Sequence, residues 1–483
     1  MPAFPPLHLF FFAWFALVPL ILQTRGLSFP QALRFGWWGG LVFNAGLLYW
    51  VALNSGADGI LAPLSFLGML LIFPLYWLLF TGIWSYLWRK FGDIGAIFLP
   101  FVWVGLEVLK NAPEIGFPWQ EMGLTQIAFL PAAQIAEFGG IHLVSFWVVA
   151  VNTAIFLLIV RRKKPAMMLF SAFILSVVWG AWRMGHLPAG GETVRVLLVQ
   201  GNVDPESKWK EEADSSVILY ESMTREAILK APVDLVLWPE TAIPVYLGHQ
   251  YSEQSRLRRF AREVEASILT GAPHYEFKSG GGHDRFNSAF FFPRDGSPPQ
   301  RYDKIRLVPF GERVPFQRWF PALGELNLGQ AEFTPGKLYS IFTLREGVNL
   351  SAQICFESVF GAECAHFVRG GADLLCNLTN DGWYGNSSGP YQHAALTRFR
   401  SIETRRPLVR CANTGISMVV DRCGRVSVRI PYGVRDSLSI AMQCGGKDLT
   451  FYVRYGELLP HFIALVGVMI LGVAVAKRST AVP

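Results

Sequence analysis

Seven long apolar runs constrain the fold of this chain more than any other feature of its sequence. They are Pro6–Leu22, Phe35–Leu53, Ile60–Trp88, Ile94–Leu109, Ile141–Val160, Ala166–Trp182 and Leu458–Ala476. The hydrocarbon core of a bilayer is ~30 Å thick, so a helix needs ~20 apolar residues to cross it. The runs therefore predict seven transmembrane helices, and Pro74 predicts a kink in the third.

Charged residues are unevenly distributed along the 483 residues of the chain. Residues 1–184 contain 10 Lys or Arg and 6 Asp or Glu, about 9% of that stretch, whereas the other 299 residues contain 33 and 30, about 21%. The second value approaches the ~25% of soluble proteins, which indicates a membrane part followed by a water-soluble part. The composition excludes a disordered chain and a small disulfide-rich secreted protein. The net charge of +7 fits topological anchors, so we expect no nucleic-acid partner.

Basic residues follow every second apolar run. They are Arg25 and Arg34, Arg89 and Lys90, Arg161, Arg162, Lys163 and Lys164, and finally Lys477 and Arg478. The alternate loops, around Asp58 and from Glu114 to Glu137, are nearly free of Lys and Arg. Because cytoplasmic loops carry the basic residues, this alternation predicts that residues 185–457 lie outside the cytoplasm. We expect a membrane domain of about six helices at 1–184, an extracytoplasmic domain at 185–457, and a C-terminal helix with a basic cytoplasmic tail at 458–483.

After residue 185 the pattern changes to short β-branched runs that alternate with helical stretches. The predicted strands are Thr193–Val199, Asp234–Leu237, Ala266–Thr270, Ser288–Phe292, Asn349–Cys355, Asp373–Asn377, Leu408–Cys411 and Ser417–Asp421. The predicted helices are Ser215–Lys230, Ser252–Glu265, Phe356–Arg369 and Pro390–Arg405, and Ser279–Arg285 is expected to be a flexible loop. Alternating strands and helices predict an α/β domain whose sheet is covered by helices.

Several kinds of chemistry receive little support from the sequence. It has no HExxH, CxxC or glycine-rich phosphate loop, so we expect neither a metal nor a cofactor. Gly385-Asn-Ser387-Ser-Gly389 matches the G-x-S-x-G elbow of serine hydrolases, but a suitably placed acid and histidine do not follow it. The six cysteines all lie after residue 350, where they form disulfides or serve as small core residues.

Three reactive side chains lie at predicted strand ends or beside an apolar turn. Cys355 closes one strand and precedes a helical pattern, and a helix N-terminus lowers the pKa of a thiol and offers N–H groups to an oxyanion. Glu240 follows Trp238-Pro239 at the end of a second strand, and Lys304 precedes an apolar turn that leads to Glu312. A nucleophile, a base and a cation together are the set required for acyl transfer through a thioester. Core packing of Cys355 is the alternative.

Those three segments resemble the Glu–Lys–Cys triad of the nitrilase (carbon–nitrogen hydrolase) superfamily, and the flanking spans make the chain similar to the apolipoprotein N-acyltransferase family. The ordered motifs that carry the resemblance are Gly116-Phe-Pro-Trp119, Val199-Gln-Gly-Asn202 with Trp209, Trp238-Pro-Glu240, Lys304, Val308-Pro-Phe-Gly-Glu312, Ile354-Cys355-Phe-Glu357, Asn380-Asp-Gly-Trp-Tyr-Gly385, Arg406-Pro407 and Asn413-Thr-Gly415. The implied fold is an α-helical membrane bundle plus an α/β domain built as a nitrilase-like αββα sandwich.

The resemblance also implies roles for individual residues. The catalytic residues would be Glu240, Lys304 and Cys355; the supporting residues would be Glu312, Glu357, Phe356, Trp209 and Asn287; and the substrate-binding residues would be Trp119, Phe117 and Trp383. Glu312 and Glu357 would orient Lys304, and the Phe356 N–H would hold the oxyanion. Relatives commonly carry an aromatic hydroxyl where Phe356 stands, and commonly begin with one more helix than the seven expected here.

The implied activity transfers a fatty acyl chain from a phospholipid, through a thioester on Cys355, to the N-terminal amine of a diacylglyceryl-modified lipoprotein. We expect a monomer in the bacterial inner membrane, with its catalytic domain in the periplasm. A membrane-anchored amidase that uses water as the final acceptor would employ the same triad. A transporter or scaffold is disfavoured, because no span shows a paired set of intramembrane charges in the sequence.

Overall fold

The computed structural model describes residues 1–57, 59–112, 114–204, 213–317, 319–320 and 332–476. Asp58, Trp209, Lys477 and Arg478 of the sequence analysis lie outside the described residues. The chain divides into two compact units. The helical unit comprises Met1–Ala52, Ile60–Leu187 and Thr450–Pro483, and the α/β unit comprises Leu53–Gly59 and Pro188–Leu449.

The α-helices and β-strands are numbered in chain order. The α-helices of the described residues are α1 (Val18–Thr24), α2 (Phe29–Leu48), α3 (Leu61–Ile72), α4 (Pro74–Phe91), α5 (Leu99–Lys110), α6 (Leu130–Ala133), α7 (Ala136–Ile159), α8 (Lys163–Gly185), α9 (Ala213–Ile228), α10 (Tyr251–Glu263), α11 (Gly361–Arg369), α12 (Ser388–Thr404), α13 (Phe451–Tyr455) and α14 (Leu458–Ala476). The strands are β1 (Thr193–Gln200), β2 (Leu235–Leu237), β3 (Ser267–Phe277), β4 (His283–Phe292), β5 (Gln300–Asp303), β6 (Ile341–Arg345), β7 (Val348–Ile354), β8 (Leu374–Thr379), β9 (Leu408–Ala412), β10 (Ser417–Val420), β11 (Val426–Ile430) and β12 (Asp436–Gln443).

Four helical segments of the described residues are long and apolar enough to cross a membrane. They are Leu61–Lys110, Ala136–Ile159, Lys163–Gly185 and Leu458–Ala476. The first contains both the third and the fourth predicted span, and its helix is interrupted between α3 and α4, directly before Pro74. The first predicted span contains the shorter apolar stretch Phe10–Thr24, and the second overlaps α2. The chain is a membrane protein, and the count of seven spans stays a prediction.

A buried group of ionisable side chains lies inside the helical unit. Glu107 and Lys110 of α5, Glu121 between α5 and α6, and His142 of α7 are all buried. The His142 Nε2 atom lies 3.4 Å from Glu121 Oε1, and its Nδ1 atom lies 3.3 Å from Glu457 Oε2. Both carboxylates lie outside the predicted spans, so the expectation that no span itself carries a paired set of charges stays a prediction. The partners come from separate segments, so no single apolar run displays the pairing.

The α/β unit contains two six-stranded sheets. Their strand orders are β12-β1-β2-β3-β4-β5 and β11-β10-β9-β8-β7-β6. In the first sheet β1, β2 and β3 are parallel, and in the second β7, β8 and β9 are parallel, whereas the other pairings are antiparallel. All eight predicted strands are present. The sequence analysis missed four others, which are β5, β6, β11 and β12.

Two hydrophobic clusters explain how the layers pack. One joins residues of both sheets, such as Leu198 and Leu237 of the first with Leu350 and Leu374 of the second, so the sheets face each other. The other joins the outer side of the first sheet to α9 and α10, through residues such as Phe260. Helix α12 packs against β9 of the second sheet, and the αββα sandwich implied by the family resemblance is confirmed.

The stretch Ser279–Arg285 differs from its prediction as a loop. Ser279–Gly282 forms the turn between β3 and β4, and His283 already begins β4. Gly281 and Gly282 have φ values of +91° and +78°, which glycine adopts without the strain that a Cβ would cause. The remaining predicted residues extend a hairpin whose two strands pair as far as Phe277 and His283.

Candidate active site

The structure places Glu240, Lys304 and Cys355 together at one edge of the sandwich. Cys355 directly follows β7, Lys304 directly follows β5, and Glu240 lies three residues beyond β2. Glu240 and Lys304 follow strands of the first sheet and Cys355 follows a strand of the second, so the site lies where the ends of the two facing sheets meet. The glutamate, lysine and cysteine therefore have the neighbours that a nucleophilic site requires.

Lys304 is the central cation of this site and is 1% exposed. Its Nζ atom donates to Glu312 Oε1 at 2.8 Å and lies 3.9 Å from Glu240 Oε1. Burial opposes the charge of the ammonium, but Glu312, Glu240 and Cys355 outweigh burial and raise the lysine pKa above its ordinary value. Lys304 is therefore a permanent positive charge beside the thiol, suited to stabilising a developing oxyanion.

Glu240 is held from two sides. The Asn287 side chain donates through Nδ2 to Glu240 Oε1 at 2.8 Å and to Glu312 Oε1 at 3.2 Å, so one amide spans both carboxylates. Gly271 of β3 packs against the main chain of Glu240, and a Cβ placed there would lie 2.7 Å from Glu240 Cα and 2.6 Å from the backbone nitrogen of Thr241. Only a glycine lets the glutamate lie this close to the sheet.

Cys355 has two features that its sequence context did not predict. It begins a 3-10 helix, Cys355–Val359, rather than an α-helix, and its φ is +52°, in the left-handed region that non-glycine residues rarely adopt. Burial and the charge of Glu240 raise the pKa of the thiol, and Lys304 only partly opposes them. The expectation that a helix N-terminus lowers this pKa is wrong, and ionisation of the thiol requires a base.

Glu312 and Glu357 are placed differently from each other. Glu312 accepts from the Lys304 ammonium and, through Oε2, from the Val308 N–H at 2.9 Å. Glu357 instead accepts from main-chain N–H groups on both sides of the site, at Ile305 (2.7 Å) and Ile354 (2.7 Å). It therefore ties the turn after Lys304 to the strand before Cys355. Burial raises the pKa of Glu357 to about 7.

The other predicted residues are spread over both units. Phe356 is buried and its ring packs edge-on against Phe360, with centroids 5.0 Å apart. Trp383 is half-buried in the α/β unit, where its carbonyl accepts from the Ser55 N–H at 2.8 Å. Phe117 and Trp119 lie in the helical unit, and their rings stack with centroids 4.5 Å apart.

Two alternatives from the sequence, a serine elbow at Ser387 and disulfides among the cysteines, differ from what the structure contains. Ser387 is the N-cap of α12, where its hydroxyl accepts from the Gly389 N–H at 3.3 Å. It therefore does not stand on a tight turn directly after a strand, as the serine elbow requires. None of the six cysteines forms a disulfide, and every one except Cys355 is buried.

The sequence analysis missed a buried polar network beneath Cys355. It contains His393 of α12, Arg410 of β9 and Asp381, which follows β8. Arg410 Nη2 donates to Asp381 Oδ2 at 2.7 Å, and His393 Nδ1 lies 2.8 Å from Asp381 Oδ1. Burial opposes ionisation of Asp381, but Arg410 and His393 lower its pKa to about 2. The signal in the sequence was the Asn380–Gly385 motif, which contains Asp381.

Comparisons with known proteins give the family of the chain. The family model of the apolipoprotein N-acyltransferase N-terminal domain matches residues 1–154, and that of carbon-nitrogen hydrolase matches residues 195–443. Apolipoprotein N-acyltransferase of Geobacter metallireducens is 34% identical over 97% of this chain and 91% of its own. The protein of the same name from Chlorobaculum tepidum is 33% identical over 99% of this chain and 94% of its own.

A solved structure of an amidase of the nitrilase superfamily, from Nesterenkonia, covers 57% of this chain and 98% of its own, with 20% identity and a TM-score of 0.42. The two family models follow one another along the chain in the order of its membrane and α/β parts. Relatives above 30% identity match it from end to end. The chain therefore belongs to the apolipoprotein N-acyltransferase family and is an acyltransferase with a carbon–nitrogen hydrolase domain.

Proposed function

We propose that this protein acylates the N-terminal amine of lipoproteins, taking the acyl chain from a phospholipid through a thioester on Cys355. The observation that carries the proposal is the arrangement of Lys304 between two carboxylates, 2.8 Å from Glu312 and 3.9 Å from Glu240, beside the thiol. The names of the relatives, apolipoprotein N-acyltransferase, support a lipoprotein as the acceptor. The donor would be a phospholipid of the surrounding membrane.

In the first half-reaction, Glu240 takes the proton of the Cys355 thiol as the sulfur attacks the ester carbonyl of the phospholipid. Lys304 and the Phe356 N–H would hold the oxyanion of the tetrahedral intermediate, and one such donor is worth ~3 kcal/mol. The C–O bond then breaks, and Glu240 returns the proton to the departing lysophospholipid hydroxyl. Since burial raises the pKa of the thiol, this transfer requires the positioned base.

In the second half-reaction, the free α-amine of the lipoprotein cysteine attacks the thioester carbonyl. Glu240 accepts a proton from the amine, the C–S bond breaks, and the thiolate of Cys355 regains a proton. The same base and the same oxyanion donors therefore serve both halves. Asn287, which donates to both Glu240 and Glu312, would keep the two carboxylates in fixed positions relative to each other during the cycle.

The membrane spans give this reaction a physical advantage. Transferring a chain of about fifteen CH₂ groups from hydrocarbon to water costs roughly 12 kcal/mol at ~0.8 kcal/mol each. A catalytic domain tethered by helices on both sides in sequence lets the acyl chains stay in the bilayer. Phe117 and Trp119 would contact those chains, and Trp383 would contribute to the substrate site of the α/β unit.

We further propose the division into residues 1–184, 185–457 and 458–483, with the middle domain in the periplasm and the helices in the bacterial inner membrane. The alternating basic loops of the sequence support this orientation. The protein would act as a monomer on membrane lipids and diacylglyceryl-modified lipoproteins. Trp209 keeps its proposed supporting role on the basis of the family resemblance alone.

Intact-mass analysis of the purified protein after incubation with phospholipid tests the mechanism. We expect one acyl adduct, located on the Cys355 peptide, which disappears when a lipopeptide with a free α-amine is added. Glu240→Gln should prevent the adduct, because an amide cannot accept the thiol proton. Release of free fatty acid instead of an acylated lipopeptide would identify the amidase activity, and an adduct that forms normally on Glu240→Gln would contradict the role of the base.

A further inference from the structure

The main-chain carbonyl of Cys355 accepts three hydrogen bonds from three different elements. Ser358 Oγ donates to it at 2.8 Å, His393 Nε2 at 3.2 Å and Asn377 Nδ2 at 3.3 Å. The donors belong to the 3-10 helix after Cys355, to α12 and to β8, and all three side chains are buried. Three donors on one carbonyl fix its direction firmly, at a residue whose positive φ requires support from its surroundings.

The direction of this carbonyl determines the direction of a second group. The Cys355 C=O and the Phe356 N–H belong to the same planar peptide unit and point to opposite sides of it. Any rotation that turns the carbonyl away from its donors also turns the N–H away from where the oxyanion forms. Hydrogen bonds to the carbonyl also polarise the peptide unit and strengthen its N–H as a donor.

Asp381 and Arg410 contact the side chain of His393, and Arg410 also contacts Asn377. A carbonyl oxygen only accepts, so the ring proton of His393 in this contact lies on Nε2. The other ring nitrogen lies 2.8 Å from Asp381 Oδ1 and 3.1 Å from Arg410 Nη2. Arg410 also donates through Nη1 to Asn377 Oδ1. One guanidinium thus connects both long-range donors of the Cys355 carbonyl.

We propose that His393 is a positioning residue of the acyl-transfer reaction, which orients the Cys355–Phe356 peptide so that the Phe356 N–H meets the oxyanion. Asp381 and Arg410 hold the imidazole, and Asn377 shares its task. This inference rests on the proposed thioester mechanism. The network beneath Cys355 would thus affect the chemical step by orienting a peptide group, without contacting the substrate.

Two substitutions of His393 separate this role from a structural one. In His393→Gln the amide nitrogen lies near the position of Nε2 and still donates to the Cys355 carbonyl. In His393→Asn the shorter side chain reaches only the position of Nδ1, so it keeps the contact with Asp381 and loses the contact with the carbonyl. We expect His393→Asn to slow acyl-enzyme formation ~10–100-fold at saturating phospholipid with little change in KM, and His393→Gln to retain most of the rate.

Alkylation of Cys355 by iodoacetamide, followed by peptide mass mapping, is the second readout. Alkylation passes through no oxyanion, so both variants should react with iodoacetamide as fast as the wild type. Ser387→Ala, which removes the N-cap of the same helix, serves as the control for a general loosening of α12 and should keep its acylation rate. Full acylation by His393→Asn would overturn the proposal, and so would parallel losses of acylation and alkylation in the Asn and Gln variants. A wild type that forms no adduct would instead refute the thioester mechanism itself.

Discussion

Gly271→Ala should impair catalysis without adding or removing any polar group of the site. The alanine Cβ would lie 2.6 Å from the Thr241 nitrogen, 2.7 Å from Glu240 Cα and 3.0 Å from the Glu240 carbonyl carbon. Carbon atoms in contact prefer ~3.5–4.0 Å, so the main chain of Glu240 has to shift by about 1 Å. The contacts are with backbone atoms, which no side-chain rotation can relieve.

A misplacement of about 1 Å in an active site lowers a rate ~10²-fold, which corresponds to ~2.7 kcal/mol in the barrier. We therefore expect Gly271→Ala to form the acyl-enzyme on Cys355 ~10²-fold more slowly than the wild type. Overpacking costs ~1–3 kcal/mol of stability, so thermal unfolding must show that the variant is folded at the assay temperature. The rate is measured as the mass adduct on Cys355 against time.

Gly280→Ala provides a matched control in the turn after β3, because a Cβ there meets no atom within 4 Å. It should form the adduct at the wild-type rate. A folded Gly271→Ala variant with a rate within about twofold of the wild type would refute the reasoning, since Glu240 would then have moved without consequence or would not be the base.

Cys355→Ser should lower lipopeptide acylation by ~10³-fold or more, whereas Ser387→Ala should retain most of it; wild-type activity in the first variant would exclude the thioester. Burial raises the pKa of Glu357 to about 7, above ~4.3 in an unfolded chain, so the folded protein keeps this proton longer as the pH rises. Its stability should fall by about 3 kcal/mol between pH 4.3 and 7 relative to Glu357→Gln, measured by thermal unfolding across that range; parallel curves for the two proteins would contradict this. A reporter inserted in Ser279–Gly282 should be extracytoplasmic and one fused after Lys477 cytoplasmic, and a cytoplasmic signal from the first would invert the proposed topology.

Much of the α/β unit could be predicted because buried strands and amphipathic helices have distinct periods in the sequence. The strands that were missed lack this signal. β12 alternates half-buried and exposed residues, and β5 has only four residues, Gln300–Asp303, of which Tyr302 alone is buried. Their place is determined by pairing with strands far away in sequence, which no local pattern records.

Glu240 and Cys355 could be predicted because each follows a buried strand, whereas Lys304 was found from the apolar turn after it, since β5 itself was missed. The network around His393 could not, since Arg410 and Asn377 lie inside strands whose apolar neighbours predict core positions. Each becomes recognisable only when β8, β9 and α12 pack together. The predicted direction of the Cys355 pKa shift was also wrong. Burial raises this pKa and outweighs the effect expected from the local helical pattern.

The ionisable group inside the helical unit has a consequence for the order in which the chain is made. Glu121 and His142 are synthesised early, but Glu457 follows the entire α/β unit in sequence. Glu457 is therefore synthesised only after the whole α/β unit. Until then the imidazole of His142 has one carboxylate neighbour fewer. The set of charged partners around His142 is therefore complete only once Glu457, directly before α14, has been synthesised.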